Sequence, residues 1–381
     1  MTASRSNRRE FLQGKAAVRA ISDAAQNLPL PEPTAGSAGD ANSVGRPAVS
    51  GSGPQSYLLR IGRRAMACEF GVVMNPGPPR QVMLASDALD RIHALEAQMT
   101  MYRAESELSE INRRAASEPV TVEESLFRLL SLARDISEET EGAFDPTSGP
   151  LIALWRRCRR EGRIPTTAEI ADTLTIVGTS HVHFEPDQFS IWFDRPGVEL
   201  NLGAIGKGHA VDRAAAFLLR EGLESWLFHG GYSSVLVRGP HAGHNGWPVG
   251  LRNPLIPHER LGTILLCDQA LATSGSNVQY FRHEGRRYGH ILDPRTGWPP
   301  SHLLSVTVVA PTAAAADALS TAFFVAGVEN SLRYCDNHPE IGAIFVRSPE
   351  RGRTLDLVVH RIPDGSLFLE TDVQVEVPTR A

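Results

Sequence analysis

The sequence predicts an α+β fold: one mixed α/β body with a largely antiparallel sheet, preceded by a flexible N-terminal segment. Three observations carry this reading. Strand candidates crowd the stretch after Ser225 at hairpin-like spacing, without the strict β-α-β alternation of a doubly wound nucleotide fold. Four separate stretches carry apolar residues at helical spacing. Residues from about Asn27 to Gln55 are rich in Pro, Gly, Ser and Ala, with too few large apolar groups to offset the entropy of ordering them. The expected division is therefore a basic segment and linker over 1–55 and one folded domain over 56–375.

The elements follow in order. Val72–Met74 reads as a strand. From Arg80 to Met99, Ala85, Leu89, Ile92, Leu95 and Met99 recur at helical spacing. A second helix is expected from a Thr121/Glu124 capping box, with Leu126, Leu129, Leu130, Ala133 and Ile136 as its buried stripe. That helix is expected to close at Gly142-Ala-Phe-Asp145. A third runs from about Gly208 to Arg220 and stops at Gly222. A fourth follows Thr312, its expected N-cap, to Phe324. The later strands are Ser225–Phe228, Ser234–Val237, Thr263–Leu266, Ser305–Val309, Ala343–Val346 and Leu355–Val359. No internal repeat is visible.

Composition narrows the function classes. The 381 residues are 42% hydrophobic and 21% charged, with a net charge of −5, so a core is affordable and no concentrated basic face signals nucleic acid. Cys68, Cys158, Cys267 and Cys335 are scattered and form no zinc spacing, so they read as buried small hydrophobes. No apolar run reaches transmembrane length. Asn7-Arg-Arg-Glu-Phe-Leu12 resembles a twin-arginine export signal, although Arg19 and Asp23 interrupt the apolar stretch that should follow. No cysteine precedes Cys68, so a lipid-anchored form has no attachment point.

Three constellations carry chemistry. If Thr312 caps its helix, Asp317 and Thr321 lie four residues apart and project side by side. A carboxylate beside a hydroxyl suits Mg²⁺, with water and phosphate completing the shell. The same pair also reads as an exposed aspartate beside a threonine bonded to its own backbone. Leu202-Gly-Ala-Ile-Gly-Lys-Gly208 crowds glycines and Lys207 at a helix entry, where backbone N–H groups and a cation favour phosphate; an ordinary strand-to-helix turn looks alike. Finally, Ala272-Thr-Ser-Gly275 is followed by Gly289-His-Ile-Leu-Asp-Pro-Arg-Thr-Gly297. There His290 and Asp293 are candidates for base and orienter, or for the chemistry of a Pro-containing turn alone. Upstream, Tyr102 precedes a short polar helix at Ser106–Asn112 and either stacks on a flat ring or packs.

Taken together, these motifs resemble the ApbE family of FAD:protein FMN transferases, from about Met66 to Gly327. The resemblance rests on Met101-x4-Ser106-Glu-Leu-Ser, Gly142-Ala-Phe-Asp145, Leu202–Gly208, Ala272–Gly275, His290–Gly297 and Ala316-Asp-Ala-Leu-Ser-Thr321. It implies an ApbE-like, T-fold-like body holding FAD in a cleft, with Mg²⁺ at the pyrophosphate. Asp317, Thr321 and the Ala204 carbonyl would be metal ligands. Met66, Tyr102, Ala143, Phe144, Asp145, Lys207 and Ile291 would line the FAD site, and His290 or Asp293 would serve catalysis. The implied reaction transfers FMN to a Thr or Ser hydroxyl of an acceptor protein, a membrane-associated acceptor being among those the resemblance allows, and releases AMP. It also implies an exported, periplasmic protein, or a cytoplasmic one if the N-terminus is no signal.

The chain departs from the family pattern in three places. The glycines Gly230 and Gly231 are flanked by His229 and Tyr232 where Asn and Asp are usual; Asn201 replaces an Asp before Leu202; and Met66-Ala-Cys68 replaces Met-Gly-Thr. These bear on transfer more than on FAD binding. An FAD pyrophosphatase and a non-catalytic FAD-binding protein are the alternatives; a structural export-associated protein would leave the Asp317/Thr321 pairing unexplained.

Overall fold

A computed structural model of the chain describes residues 57–241, 244–276, 280–348, 354–370 and 373–377. The twin-arginine-like segment and the linker over 1–55 lie outside the described residues. The frame is a nine-stranded sheet. In spatial order it holds β1 (Leu59–Ala65), β2 (Cys68–Met74), β6 (Trp226–Gly230), β7 (Ser234–Arg238), β10 (Ala270–Gly275), β13 (Leu303–Ala310), β14 (Gly342–Arg347), β15 (Leu355–His360) and β17 (Val373–Glu376). Every neighbouring pair is antiparallel except β15 and β17. The fold class is thus as the hairpin-like spacing predicts.

Both faces of this sheet are covered, which explains why its strands read as apolar runs. Side chains alternate across the pleat. In β14, Ala343 and Phe345 join the cluster under the helices, while Ile344 and Val346 join the cluster on the other side. The helical layer contains α1 (Pro79–Met99), α6 (Gly206–Arg220) and α7 (Ala313–Ala326). The opposite layer is a small sheet of β8 (Trp247–Arg252), β9 (Arg260–Leu266) and β16 (Leu367–Leu369), which adds Trp247 and Ile264 to that second cluster.

The remaining elements are α2 (Glu107–Arg114), α3 (Glu124–Glu139), α4 (Gly149–Arg160), α5 (Thr167–Leu174), and the sheet of β3 (Val120–Thr121), β5 (Ser190–Phe193) and β4 (Val182–Glu185), most of which share the core cluster under the helices. A separate hairpin of β11 (Tyr280–His283) and β12 (Arg286–Gly289) and a last helix, α8 (Val328–Asn337), complete the described chain.

Several boundaries differ from expectation. Thr121 does not cap α3, because it is engaged in β3 opposite Ser190. The cap is Glu123, whose carboxylate accepts from the N–H groups of Ser125 (2.9 Å) and Leu126 (3.1 Å). The helix ends at Glu139, before Gly142 turns the chain with φ +73°. The third helix begins two residues early, at Gly206, and the fourth is capped by Thr312 as expected, its side chain accepting from Ala315 N–H. The Ala272–Gly275 motif proves to be part of a central strand, β10.

The feature that positions the site is the junction of α6 and α7. A Cβ on Gly208 would collide with the carbonyl of Ala313, so the two helix backbones touch where glycine permits it. Asp212 then reaches from α6 to the first turn of α7 and accepts from Ala313 and Ala314 N–H, both at 2.8 Å. In return, Asp317 of α7 accepts from Gly208 N–H at 2.7 Å.

His209, in the same turn of α6, faces Ser125 of α3. Burial first, and then Arg213, push its pKa down to about 4. A folded-state value below the unfolded one means that this neutral imidazole contributes stability above about pH 6.5, lost as pH falls through about 4. Relative to His209→Gln, the protein is expected to lose about 3 kcal/mol between pH 7 and 4. Denaturant unfolding at both pH values checks this; parallel losses in the two proteins would refute it.

Candidate active site

Asp317 sits at the centre. It is 5% exposed, although the sequence left open an exposed aspartate. Its two oxygens are held separately: Oδ2 accepts from Gly208 N–H, and Oδ1 accepts from the hydroxyl of Ser234 on β7. The ammonium of Lys207 lies 3.9 Å from Oδ2. Burial raises the Asp317 pKa, while Lys207, Ser234 and Gly208 oppose that rise. A carboxylate so placed is costly unless a further positive charge shares it.

Thr321 follows one turn along α7, as the spacing predicts. Its hydroxyl is 3.1 Å from that of Ser274 on β10, which in turn is 2.9 Å from Ser320. Two hairpins close in from the sheet. The β1–β2 turn is Met66-Ala67, both with positive φ (49° and 59°), as a two-residue hairpin requires. Just beyond it, the Cys68 thiol feels the charges of both Lys207 and Asp317, and a Cβ on Gly231 in the β6–β7 turn would lie 3.4 Å from its sulfur. Thus Lys207, Asp317, Thr321, Ser234 and Ser274 come together from distant parts of the chain, and Met66 sits in the turn that leads into Cys68. Ser234 and Ser274 were not singled out as site residues from sequence; Ser274 lies inside the Ala272–Gly275 motif, whereas the only signal of Ser234 is a hydroxyl on a largely apolar strand.

Other expected site residues are placed less directly. Ala143 and Phe144 are buried in the core cluster, so their side chains are committed to packing. Asp145 is 8% exposed, and its Oδ1 accepts from Thr147 N–H (2.7 Å) and hydroxyl (2.6 Å). Ile291 is buried in the same core cluster as Ala143 and Phe144. Tyr102 does not pack: it is 74% exposed, and its hydroxyl accepts from Arg156 at 2.6 Å. His290 is exposed at the end of β12. Asp293 is clamped by Arg295, its Oδ1 and Oδ2 each 2.9 Å from a guanidinium nitrogen, and its carbonyl accepts from Thr296 and Gly297. That arrangement makes Asp293 the organiser of its own turn.

The departures from the family pattern have physical explanations. His229 lies across Gly71 of β2, where a Cβ would meet its ring, and its Nδ1 is 3.0 Å from the Gly231 carbonyl. Tyr232 stacks near it with rings 14° apart and stays half exposed beneath Arg252. Asn201 accepts from Gly203 N–H at 2.8 Å, closing the loop that feeds α6. A neutral amide does this as well as an acid.

The donor set suits a hard cation that retains water. Asp317, Thr321 and the Ala204 carbonyl would supply three oxygens, and among the described residues no hydrogen bond ends on that carbonyl. Among the described residues no group of three or more His, Cys, Asp or Glu could hold a metal. This set contains only one such side chain, so it relies on substrate oxygens. The depression of about 530 Å³ between α1 and α6, lined by Leu84, Arg91 and Phe217, shares no residue with this chemistry and is a surface feature.

A mixed α/β body that gathers a buried carboxylate, hydroxyls and a lysine at a helix entry defines a protein built to hold a phosphorylated ligand. More particularly, the chain belongs to the ApbE family, whose model matches residues 66–345. It is 34% identical over 265 residues to an FAD:protein FMN transferase of Klebsiella pneumoniae, covering 69% of this chain and 82% of the relative. It is 32% identical to one from Treponema pallidum, covering 72% and 81%. Among solved structures, the flavin transferase ApbE of Vibrio cholerae superposes with a TM-score of 0.71 at 27% identity, covering 80% of this chain and 97% of that one. The ApbE protein of Thermotoga maritima gives 0.70 at 30%, covering 78% and 97%.

Because Ser234 donates to a buried carboxylate, Ser234→Ala is expected to cost about 1.5–3 kcal/mol in denaturant unfolding. A change below about 0.5 kcal/mol would show that the bond contributes nothing.

Proposed function

We propose that this protein transfers FMN from FAD to a Thr or Ser hydroxyl of an acceptor protein, with Mg²⁺ bound and AMP released. The observation that carries this reading is the Asp317/Thr321 pair on one face of α7, with Lys207 beside it. When bound, Mg²⁺ would neutralise pyrophosphate charge between Asp317, Thr321 and the Ala204 carbonyl. Lys207 and the N-terminus of α6 would hold phosphate oxygens. Met66 and Tyr102 are offered for the flavin nucleotide.

The acceptor oxygen forms a bond to the FMN-side phosphorus as the bond from that phosphorus to the AMP oxygen breaks. The hydroxyl proton passes to His290, which is exposed and able to meet an incoming protein. Asp293, engaged by Arg295, would act by holding the turn that carries His290. Water in place of the hydroxyl would give FMN and AMP, and Tyr232 in place of an acid at the β6–β7 turn favours keeping that outcome in the test. The N-terminal twin-arginine-like segment supports export and an acceptor at the membrane; the mature N-terminus, read by mass spectrometry, would test it.

Incubation with FAD, Mg²⁺ and a Thr-containing acceptor peptide should give AMP and FMN-peptide in equal amounts. AMP formed equally without peptide would mean hydrolysis, and FAD left intact in every condition would sink both enzymatic readings. Asp317→Asn is expected to lower turnover at least about 100-fold with the fold retained by circular dichroism. His290→Ala should lower the single-turnover rate about 100-fold while FAD affinity holds within a few-fold. Unchanged rates would remove either residue from the mechanism.

A further inference from the structure

Tyr102 and Arg156 make a contact that packing does not explain. Tyr102 lies in the short loop between α1 and α2, and its exposed hydroxyl accepts from Arg156 of α4 at 2.6 Å. The Arg156 Cζ is 5.7 Å from the ring centroid. Guanidinium groups that lie on rings elsewhere in the chain stand closer, at 3.9 Å for Arg287 on Tyr280 and 4.1 Å for Arg91 on Phe217. Arg156 therefore sits toward the hydroxyl edge of its ring and leaves the faces open. Among the described residues no other ring packs on Tyr102, and Arg156 has no carboxylate partner. Its neighbour Arg157, by contrast, is paired with Glu169. A bond between two long exposed side chains contributes little to the fold.

Its position gives the pair a use. On the Tyr102 side, Met101 Sδ accepts from Asn201 Nδ2 at 3.0 Å, and Asn201 Oδ1 accepts from Gly203 N–H, next to Ala204. Tyr102 is thus tied to the loop that feeds α6. On the Arg156 side, the indole N–H of Trp155 donates to the Gly297 carbonyl at 2.8 Å, and the Trp155 ring meets Trp298 edge-on at 5.5 Å. That anchors α4 to the turn that follows His290. The Tyr102–Arg156 bond is a strut between the two parts of the chain that carry Lys207 and His290.

Resting on the proposed use of FAD, we infer that Arg156 is a positioning residue for the flavin. It fixes the exposed Tyr102 ring in one orientation, as a preformed surface on which the flat tricyclic ring of FAD stacks. Aromatic systems stack face to face with an offset, so an open and stationary ring face is what such a ligand requires. A free tyrosine side chain would lose its rotamer freedom when the ligand binds, whereas one already tied at its hydroxyl does not. That difference is worth about three- to tenfold in affinity. Phosphate is left to Lys207 and the N-terminus of α6, so the gain belongs to the flavin end of the ligand.

The test is equilibrium titration of the whole protein with FAD and with ADP, which shares the pyrophosphate and lacks the flavin, with Mg²⁺ present and acceptor absent. Arg156→Ala should weaken FAD about three- to tenfold and leave ADP within about twofold. Tyr102→Phe keeps the ring and removes its anchor, so it should cost the same, and the double variant should cost no more than either single one. Arg157→Ala should change neither ligand. Unchanged FAD affinity in Arg156→Ala overturns the inference. So does an equal loss for ADP, which would place Arg156 on phosphate. Losses that add in the double variant also overturn it, because Arg156 would then act without Tyr102. If the affinities follow this pattern but no FMN reaches an acceptor peptide, the transfer reaction falls and the role of Arg156 stands. A wild-type protein that binds no FAD would overturn both.

Discussion

The contact between Gly208 and the Ala313 carbonyl is the constraint on which the site depends. Helix backbones rarely approach so closely, because any side chain beyond hydrogen holds them apart. Here the approach lets each helix satisfy the other. Asp212 takes the two leading N–H groups of α7, and Asp317 takes one N–H at the start of α6. Each exchange places a negative charge against a helix N-terminus, where it is favoured. The consequence for function is geometric: Asp317 cannot move without breaking the junction.

That rigidity has an energetic cost. A carboxylate with 5% exposure would be expelled or protonated if packing alone decided the matter. Gly208, Ser234 and Lys207 offset part of the burial, yet burial still dominates its titration. Structures keep such groups where a ligand supplies the missing charge, and a cation on a pyrophosphate would do so. The sheet contributes by bringing β7 and β10 under the helices, so that Ser234 and Ser274 present hydroxyls to Asp317 and Thr321 from a surface otherwise apolar.

Much of the frame was legible because it depends on local rules. The helices at Arg80–Met99 and after Thr312 announce themselves by periodicity and cap, and the later strands by β-branched runs. Where local rules compete, the reading slipped. Thr121 has the chemistry of a cap, but strand pairing with Ser190 claimed it, and Glu123 took over. The β10 strand passed as a motif without structure because its Ser and Gly are weak strand formers; it exists because β7 and β13 pair on both sides of it.

By itself the sequence determined the class of fold, the spacing of Asp317 and Thr321, and the family resemblance that matching relatives bear out. These are properties of neighbours along the chain. Only the tertiary structure decided that Asp317 is buried, that Ser234 and Gly208 hold its two oxygens, that Tyr102 faces solvent, and that Asp293 is spent on Arg295. It also packed the β11–β12 hairpin on α4, through a tryptophan whose role no spacing reveals. Partners as far apart as Ser234 and Asp317, 83 residues, or Gly208 and Asp317, 109 residues, leave no periodic trace, because hydrogen bonds and burial depend on distance in space alone.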